Sequence, residues 1–87
     1  MSAALNIRLR YFASIREALG CGAEDLSTGA ATVGALRDEL LARGGAYAEA
    51  LGRQRPVRMA LDQTLCEESA ALVDGAELAF FPPVTGG

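Results

Sequence analysis

The stretch LNIRLRYF, at residues 5–12, decides the fold class because its apolar and polar side chains alternate from Leu5 to Tyr11. In a β-strand, successive side chains point to opposite faces of the sheet. One face of this segment is therefore apolar, and the other carries Asn6, Arg8 and Arg10. We predict a strand over Leu5–Phe12 whose apolar face packs against a core and whose charged face meets water.

The layer that covers this strand is predicted further along the chain, as a helix over Val33–Arg43. Thr32 is a good N-cap, and Gly44 and Gly45 end the helix, with one glycine free to take the left-handed conformation. Gly34 weakens the first turn by roughly 1 kcal/mol against alanine. Helical spacing puts one set of apolar residues on a stripe and leaves three charged residues off it: Val33, Leu36 and Leu40, with Leu41 beside them, against Arg37, Asp38 and Arg43.

Shorter elements fill the rest of the chain. We predict a helix capped by Ser14 and stopped after Leu19 by Gly20, a returning strand at 23–27, one or two helical turns at 46–51, and strands at 57–61, 64–66 and 77–81. Asp62-Gln63 and Asp74-Gly75 are turn signals. In the last strand, Phe80 belongs in the core and Phe81 is exposed. The order predicts an α+β roll: a mixed sheet of four to five strands with one main helix, about 32–43, packed on one face.

Composition limits the chemistry. The 87 residues contain no His, Lys or Trp and only two Cys. The usual general base near neutral pH is missing, and no side-chain amine can form a Schiff base. Two thiols without histidine do not close a tetrahedral zinc site, so we predict no metal site. The protein is therefore not expected to be catalytic alone through its own side chains.

Charge and cysteine usage narrow the partners and the compartment. Eight arginines face eleven carboxylates, for a net charge of −3. Nucleic-acid binding needs a basic stripe, which argues against a nucleic-acid partner, whereas an acidic domain suits a basic patch on a protein. No apolar run is long enough to span a membrane, and the amino-terminal segment does not fit a signal peptide. Free thiols at Cys21 and Cys66 fit a reducing cytosol, so we predict a cytoplasmic protein.

The segment Phe81-Pro82-Pro83-Val84-Thr85-Gly86-Gly87 breaks every earlier pattern. Two prolines cannot continue a paired strand and favour an extended conformation, so we predict a domain over 1–81 and a flexible, extended tail over 82–87. Glycine has no Cβ, so Gly86-Gly87 can thread a channel that side chains would block. The reactive group at the tip is the α-carboxylate of Gly87. Activated by ATP as an acyl-adenylate and attacked by a thiol or persulfide, it can become a thiocarboxylate, a strong sulfur nucleophile.

Four parts of the chain together carry a family resemblance. Residues 73–87, the strand and helix start over 7–19, and the helix opening Thr32-Val33 with the hairpin at Asp62-Gln63 resemble the small, sulfur-carrying subunits of molybdopterin synthases. The resemblance covers nearly the whole chain. It implies the ubiquitin-like β-grasp fold.

The resemblance also implies a function and its partners. An ATP-dependent activating enzyme would adenylate Gly87, and a sulfurtransferase or cysteine desulfurase would supply sulfur; no cofactor is bound by the carrier itself. The tail, with Phe81, Pro82, Pro83, Val84, Thr85 and Gly86 as partner-binding residues, would enter the large synthase subunit and donate sulfur to cyclic pyranopterin monophosphate. Two small subunits would flank a dimer of large ones, forming a heterotetramer.

Other interpretations stay open at this point. The same terminus would serve a sulfur carrier for thiamine synthesis, cysteine synthesis or tRNA thiolation, or a protein modifier that links Gly87 to lysines of other proteins. A small interaction module with a disordered tail is the remaining alternative. Cys21 and Cys66 are expected to be incidental thiols, and Glu67-Glu68 a charged loop rather than a metal-binding pair. Phe81 is the expected anchor of an interface.

Overall fold

The computed structural model describes residues 4–83, so the predicted tail residues Val84, Thr85, Gly86 and Gly87 lie outside the described residues. The described chain forms five strands and three helices. In chain order these elements are β1 (Leu5–Tyr11), α1 (Ala13–Leu19), β2 (Ala23–Thr28), α2 (Val33–Leu41), α3 (Gly45–Leu51), β3 (Arg58–Leu61), β4 (Thr64–Cys66) and β5 (Glu77–Phe81).

All five strands join one mixed sheet in the order β2-β1-β5-β3-β4. The central strands β1 and β5 are parallel, and every other neighbouring pair is antiparallel. A parallel pair requires a crossover connection, and here the helices lie between the two strands along the chain. The predicted β-grasp roll, with a mixed sheet and a main helix on one face, is confirmed.

The alternation in β1 produces the predicted two-faced strand. Its core-facing residues pair in register with those of β5, as in Leu9 with Leu78 and Tyr11 with Phe80. The rings of Tyr11 and Phe80 are stacked, with centroids 6.1 Å apart. The largest fully buried side chains come from the sheet and from α2 and α3: Tyr11, Phe80, Ile7, Leu9, Leu36, Leu40, Leu51, Leu78 and Val33.

The main helix begins where the sequence predicts it. Thr32 has an extended backbone, and its hydroxyl accepts a hydrogen bond from the Ala35 N–H at 3.2 Å. The helix ends at Leu41, two residues before the predicted end, and both Gly44 and Gly45 have positive φ angles, of 72° and 54°. The predicted turns after Gly45 form α3, a full helix of seven residues.

Two predictions about the helices are wrong. Ser14 does not cap α1, because the helix already begins at Ala13 after an N-cap, Phe12, that makes no side-chain hydrogen bond. Arg37 does not lie at the surface but is only 3% exposed, although helical spacing put it off the apolar stripe. Its guanidinium is buried because α3 and the segment after it fold over that side of α2 and offer it hydrogen-bond acceptors.

The predicted turns are confirmed. Asp62 and Gln63 both have positive φ angles, of 50° and 68°, as a two-residue hairpin between β3 and β4 requires. At the other turn, the Asp74 carboxylate accepts a hydrogen bond from the Asn6 N–H at 2.7 Å, which ties the turn to the start of β1. Among residues 4–83, no helix has the length and apolar character needed to cross a membrane.

Candidate partner interface at the base of the tail

The tail leaves the domain from the middle of the sheet. Its base is the end of β5, which lies between β1 and β3, and the Phe12 N–H donates to the Phe80 carbonyl oxygen at 3.2 Å. Pro82 and Pro83 follow without N–H groups, so the ladder ends there. Because β1 and β5 are parallel, their carboxyl ends meet at one edge of the sheet, and Phe12 lies beside the departing tail.

The sheet face that points away from the helices extends to the base of the tail. We call it the outer sheet face. Registered partners on neighbouring strands share a face, as Arg10 does with Ala79, Ala79 with Ala60, and Ala60 with Leu65. The outer sheet face near the tail therefore carries three arginines, two carboxylates and a set of apolar residues: Arg8, Arg10, Arg58, Asp25, Glu77, Phe12, Ala60, Leu65, Ala79 and Phe81.

Phe81 lies on the outer sheet face, opposite Phe80, as predicted, but it is half-buried rather than exposed. Arg58 is its register partner on β3. A residue in the central strand has neighbours on both sides, which cover part of its ring even on the face without helices. Pro82 and Pro83, the two other predicted binding residues that the structure describes, are also half-buried.

Two exposed apolar side chains extend this surface and were not singled out from the sequence. Phe12 is 41% exposed and Leu65 is 65% exposed. The alternation that puts Arg8 and Arg10 outward also puts Phe12 outward, so Phe12 had a sequence signal; Leu65, in a three-residue strand, had none. The Arg10 guanidinium lies 5.4 Å from the centroid of the Phe12 ring, within cation–π range.

The charges on the outer sheet face are mixed. Arg8 Nε lies 3.1 Å from Asp25 Oδ1, and the Arg10 guanidinium lies 3.7 Å from a Glu77 carboxylate oxygen. Such exposed pairs have small net energies, so they leave a polar rim that can exchange partners. The combination of a small apolar centre and a polar rim is typical of a protein interface rather than of a nucleic-acid surface.

The remaining candidates from the sequence are the Glu67-Glu68 pair and the two cysteines. Glu68 accepts hydrogen bonds from Arg53 and Arg37, and the bonds from Arg53 lower its pKa despite partial burial. No cluster of three or more metal-ligating side chains occurs within residues 4–83. Cys21 and Cys66 are half-buried free thiols, and burial raises the pKa of Cys66, which disfavours the reactive thiolate.

Comparison with known proteins connects this geometry to one family. Residues 9–87 match the ThiS family. Over 81 residues, the chain is 41% identical to the molybdopterin synthase sulfur carrier subunit of Escherichia coli (strain K12), covering 93% of this chain and 99% of that protein.

Solved structures agree in fold along nearly the whole chain. One is the protein–protein complex of subunits 1 and 2 of the molybdopterin-converting factor from Helicobacter pylori 26695, with 27% identity and a TM-score of 0.66, covering 95% of this chain and 100% of the matched chain. Another is the crystal structure of small archaeal modifier protein 1 of Haloferax volcanii, with 26% identity and a TM-score of 0.73, covering 92% and 99%.

Proposed function

We propose, from the premise that the chain belongs to the ThiS family, that it is the sulfur carrier subunit of a molybdopterin synthase. The observation that carries the proposal is the 41% identity to a protein of that name over 93% of this chain. The geometry supports it, since the central strand β5 brings Phe81-Pro82-Pro83 to an edge of the domain beside an apolar surface.

The reacting group in this proposal is the carboxylate of Gly87. An activating enzyme transfers the adenylyl group of ATP to that carboxylate and releases pyrophosphate. A persulfide on a sulfurtransferase or cysteine desulfurase then attacks the acyl-adenylate and displaces AMP, which gives an acyl disulfide at Gly87. A second thiol of that partner attacks the S–S bond of this acyl disulfide, so a disulfide forms on the partner and a thiocarboxylate is left on Gly87. The chain has no His and no Lys, so the side-chain base and amine come from these partners.

The partner in the last step is the large synthase subunit, where the thiocarboxylate donates sulfur to cyclic pyranopterin monophosphate. The H. pylori structure of a subunit 1 and subunit 2 complex supports such a pairing. We propose that Phe81, Pro82 and Pro83 bind at the mouth of the partner's active site, and that Val84, Thr85 and Gly86 pass into it. A heterotetramer of two small and two large subunits in the cytoplasm completes the proposal; the free thiols of Cys21 and Cys66 fit that compartment.

Intact-mass analysis tests the sulfur-carrying step. The purified chain is incubated with the activating enzyme, ATP and a sulfur source, and the expected product has one oxygen replaced by sulfur at Gly87. The control is a chain that lacks Gly87, with its fold checked by circular dichroism. Equal sulfur uptake by this truncated chain would falsify the proposal.

A protein modifier is a second candidate, favoured by the similarity to small archaeal modifier protein 1. In that case activated Gly87 forms an amide with a lysine of another protein. Incubation of the tagged chain in a cell extract with ATP separates the two, because a modifier yields covalent conjugates and a dedicated sulfur carrier does not. Without lysine, the chain cannot build polymers through its own side chains.

Sulfur carriage for another pathway uses the same terminal chemistry. Copurification distinguishes it, since only a synthase subunit brings down the pterin-binding large subunit.

A further inference from the structure

A groove lies against the two tail prolines, separate from the outer sheet face. It has a volume of about 350 Å³ and lies between α1, α3 and the segment before β3. We call it the tail-base groove. Its apolar lining comes from four parts of the chain and includes Ile15, Ala18, Ala50, Val57, Pro82 and Pro83.

The groove is open because the two helices around it are short and rich in alanine. α1 and α3 have seven residues each, and they face the groove with Ala18 and Ala50. An alanine at each of these positions leaves space that a larger side chain would fill. A volume of about 350 Å³ is more than double the engineered cavity of about 150 Å³ that binds benzene, so the groove has room for at least one large apolar side chain.

The tail connects this groove to the partner's active site. From Pro83 to Gly87, four residues span at most about 14 Å when fully extended. A protein that holds Gly87 in its active site therefore has its surface within that distance of Pro83, which is part of the groove wall. A partner that accepts the tail therefore lies close enough to reach the groove.

The charges of the groove indicate the chemistry of the occupant. Arg55 is exposed and lines the groove, and within residues 4–83 no carboxylate lies within 4 Å of its guanidinium. Five of the other arginines have carboxylate partners, so Arg55 differs from most of its kind in this chain. Glu49 also lines the groove. An unpaired cation beside an apolar wall favours a segment that carries an apolar residue next to an acidic one.

We propose that the tail-base groove receives an apolar side chain of the large synthase subunit and that Arg55 pairs with a carboxylate beside it. This inference rests on the proposed function, which supplies the partner. It adds a second contact surface for the large subunit, on the helix side of the tail base, while the outer sheet face contacts the large subunit on the opposite side. Two contacts around Pro82 and Pro83 would orient the tail toward the partner's active site.

Calorimetric titration with the large subunit tests the groove. Ala18→Gln places a longer side chain in it without a change of charge, and Ala18 is exposed, so the core is untouched. The matched control is Ala46→Gln, on an exposed alanine of α3 outside the lining. We expect Kd to rise about tenfold for Ala18→Gln, the order expected from loss of one buried apolar side chain, and less than about twofold for Ala46→Gln.

Arg55→Glu provides the independent variant. We expect it to raise Kd about tenfold at low salt, with a smaller difference in 1 M salt, where the Debye length is about 3 Å. An unchanged Kd for both Ala18→Gln and Arg55→Glu overturns the inference. Tighter binding of the large subunit by Ala18→Gln also overturns it, because that result would mean that the chain's own tail occupies the groove. So does a loss of affinity that is measured with the activating enzyme and not with the large subunit.

The two proposals fail in different ways. If Ala18→Gln and Arg55→Glu both bind normally while Leu65→Asp does not, the groove inference is overturned and the proposed function stands. If the wild-type chain neither accepts sulfur nor binds a large subunit, the proposed function fails, and the groove inference fails with it.

Discussion

The Nε of Arg37, in α2, donates a hydrogen bond to the carbonyl oxygen of Leu51, the last residue of α3, over 2.7 Å. A second guanidinium nitrogen donates to the carbonyl oxygen of Gly52 at 3.2 Å. The last carbonyls of a helix have no partner within the helix, and a cation near that end also interacts favourably with the helix dipole. Arg37 thus caps α3 from a neighbouring helix and holds the start of the segment that leads to the tail-base groove.

Replacement of Arg37 by methionine tests this cap. Arg37 is only 3% exposed, and Arg37→Met leaves the Leu51 carbonyl oxygen without its donor, whereas the Gly52 carbonyl oxygen keeps the hydrogen bond from the Arg55 N–H at 3.0 Å. We expect a loss of about 1–3 kcal/mol in the free energy of unfolding, from one unsatisfied buried acceptor. Urea denaturation measures it.

The matched control for that variant is Arg8→Met, at an exposed arginine paired with Asp25. We expect less than about 1 kcal/mol there, as for surface ion pairs in general. Equal losses for the two variants would contradict the capping role.

Gly34 gives a prediction that opposes helix propensity. A Cβ at this position would lie 3.0 Å from the Glu68 Cβ and 3.2 Å from the Glu68 carbonyl oxygen, and the Gly34 N–H donates to that oxygen at 2.8 Å. Propensity alone predicts that Gly34→Ala stabilises the helix by about 1 kcal/mol. We expect destabilisation instead, measured by thermal unfolding, because the loop at Glu68 must move. A raised Tm would refute the close-packing explanation.

Glu24 predicts a pH dependence of stability. Partial burial acts to raise the pKa of its carboxyl, but hydrogen bonds from Tyr47 at 2.8 Å, Arg43 at 2.9 Å and Tyr11 at 3.1 Å outweigh burial and lower it. A group whose pKa is lower in the folded state adds stability above its unfolded pKa, about 4.3 for Glu, and that stability is lost as pH falls through the folded pKa.

The variant Glu24→Gln isolates this effect. Between pH 7 and about pH 3, we expect the wild type to lose about 1 kcal/mol more of its unfolding free energy than Glu24→Gln, as for a hydrogen-bonded carboxylate. Chemical denaturation at a series of pH values measures the difference. Glu17→Gln, at an exposed carboxylate of α1 with no ion pair among residues 4–83, serves as the control and is expected to follow the wild type. Parallel curves for Glu24→Gln and wild type would argue against a stabilising role for the hydrogen bonds to the Glu24 carboxylate.

Leu65 tests the outer sheet face. It is 65% exposed, so Leu65→Asp leaves the core intact, but it places a charge on the apolar surface that leads to Phe81. We expect Kd for the large synthase subunit to rise at least about tenfold, the order of one buried leucine.

Val73→Asp is the matched control, because Val73 is 58% exposed but lies in the loop before β5. We expect its Kd to stay within about twofold of wild type. If Leu65→Asp and Val73→Asp bind equally well, the outer sheet face is not the interface.

Local features of the fold were predictable where neighbours in sequence are neighbours in space. The alternation over residues 5–12, the cap at Thr32 and the turn at Asp62-Gln63 each depend on interactions within a few residues, and each is confirmed. The prediction for Arg37 is wrong because a segment distant in sequence packs against that residue. Arg37 lies off the apolar stripe by helical spacing, yet it is buried and donates to the Leu51 carbonyl oxygen, 14 residues later in the chain.

The chemistry proposed for the tail rests on the order of residues alone, since prolines cannot extend a ladder and glycines at positions 86 and 87 have no Cβ. The surfaces around its base follow only from tertiary structure. Arg8 pairs with Glu77 across 69 positions of sequence, and this parallel register brings Phe12 beside the start of the tail. Side-chain periodicity describes which face of an element is apolar; it carries no information about which distant element lies alongside. The outer sheet face and the tail-base groove therefore exist only once β1, β3 and β5 and the two short helices have come together.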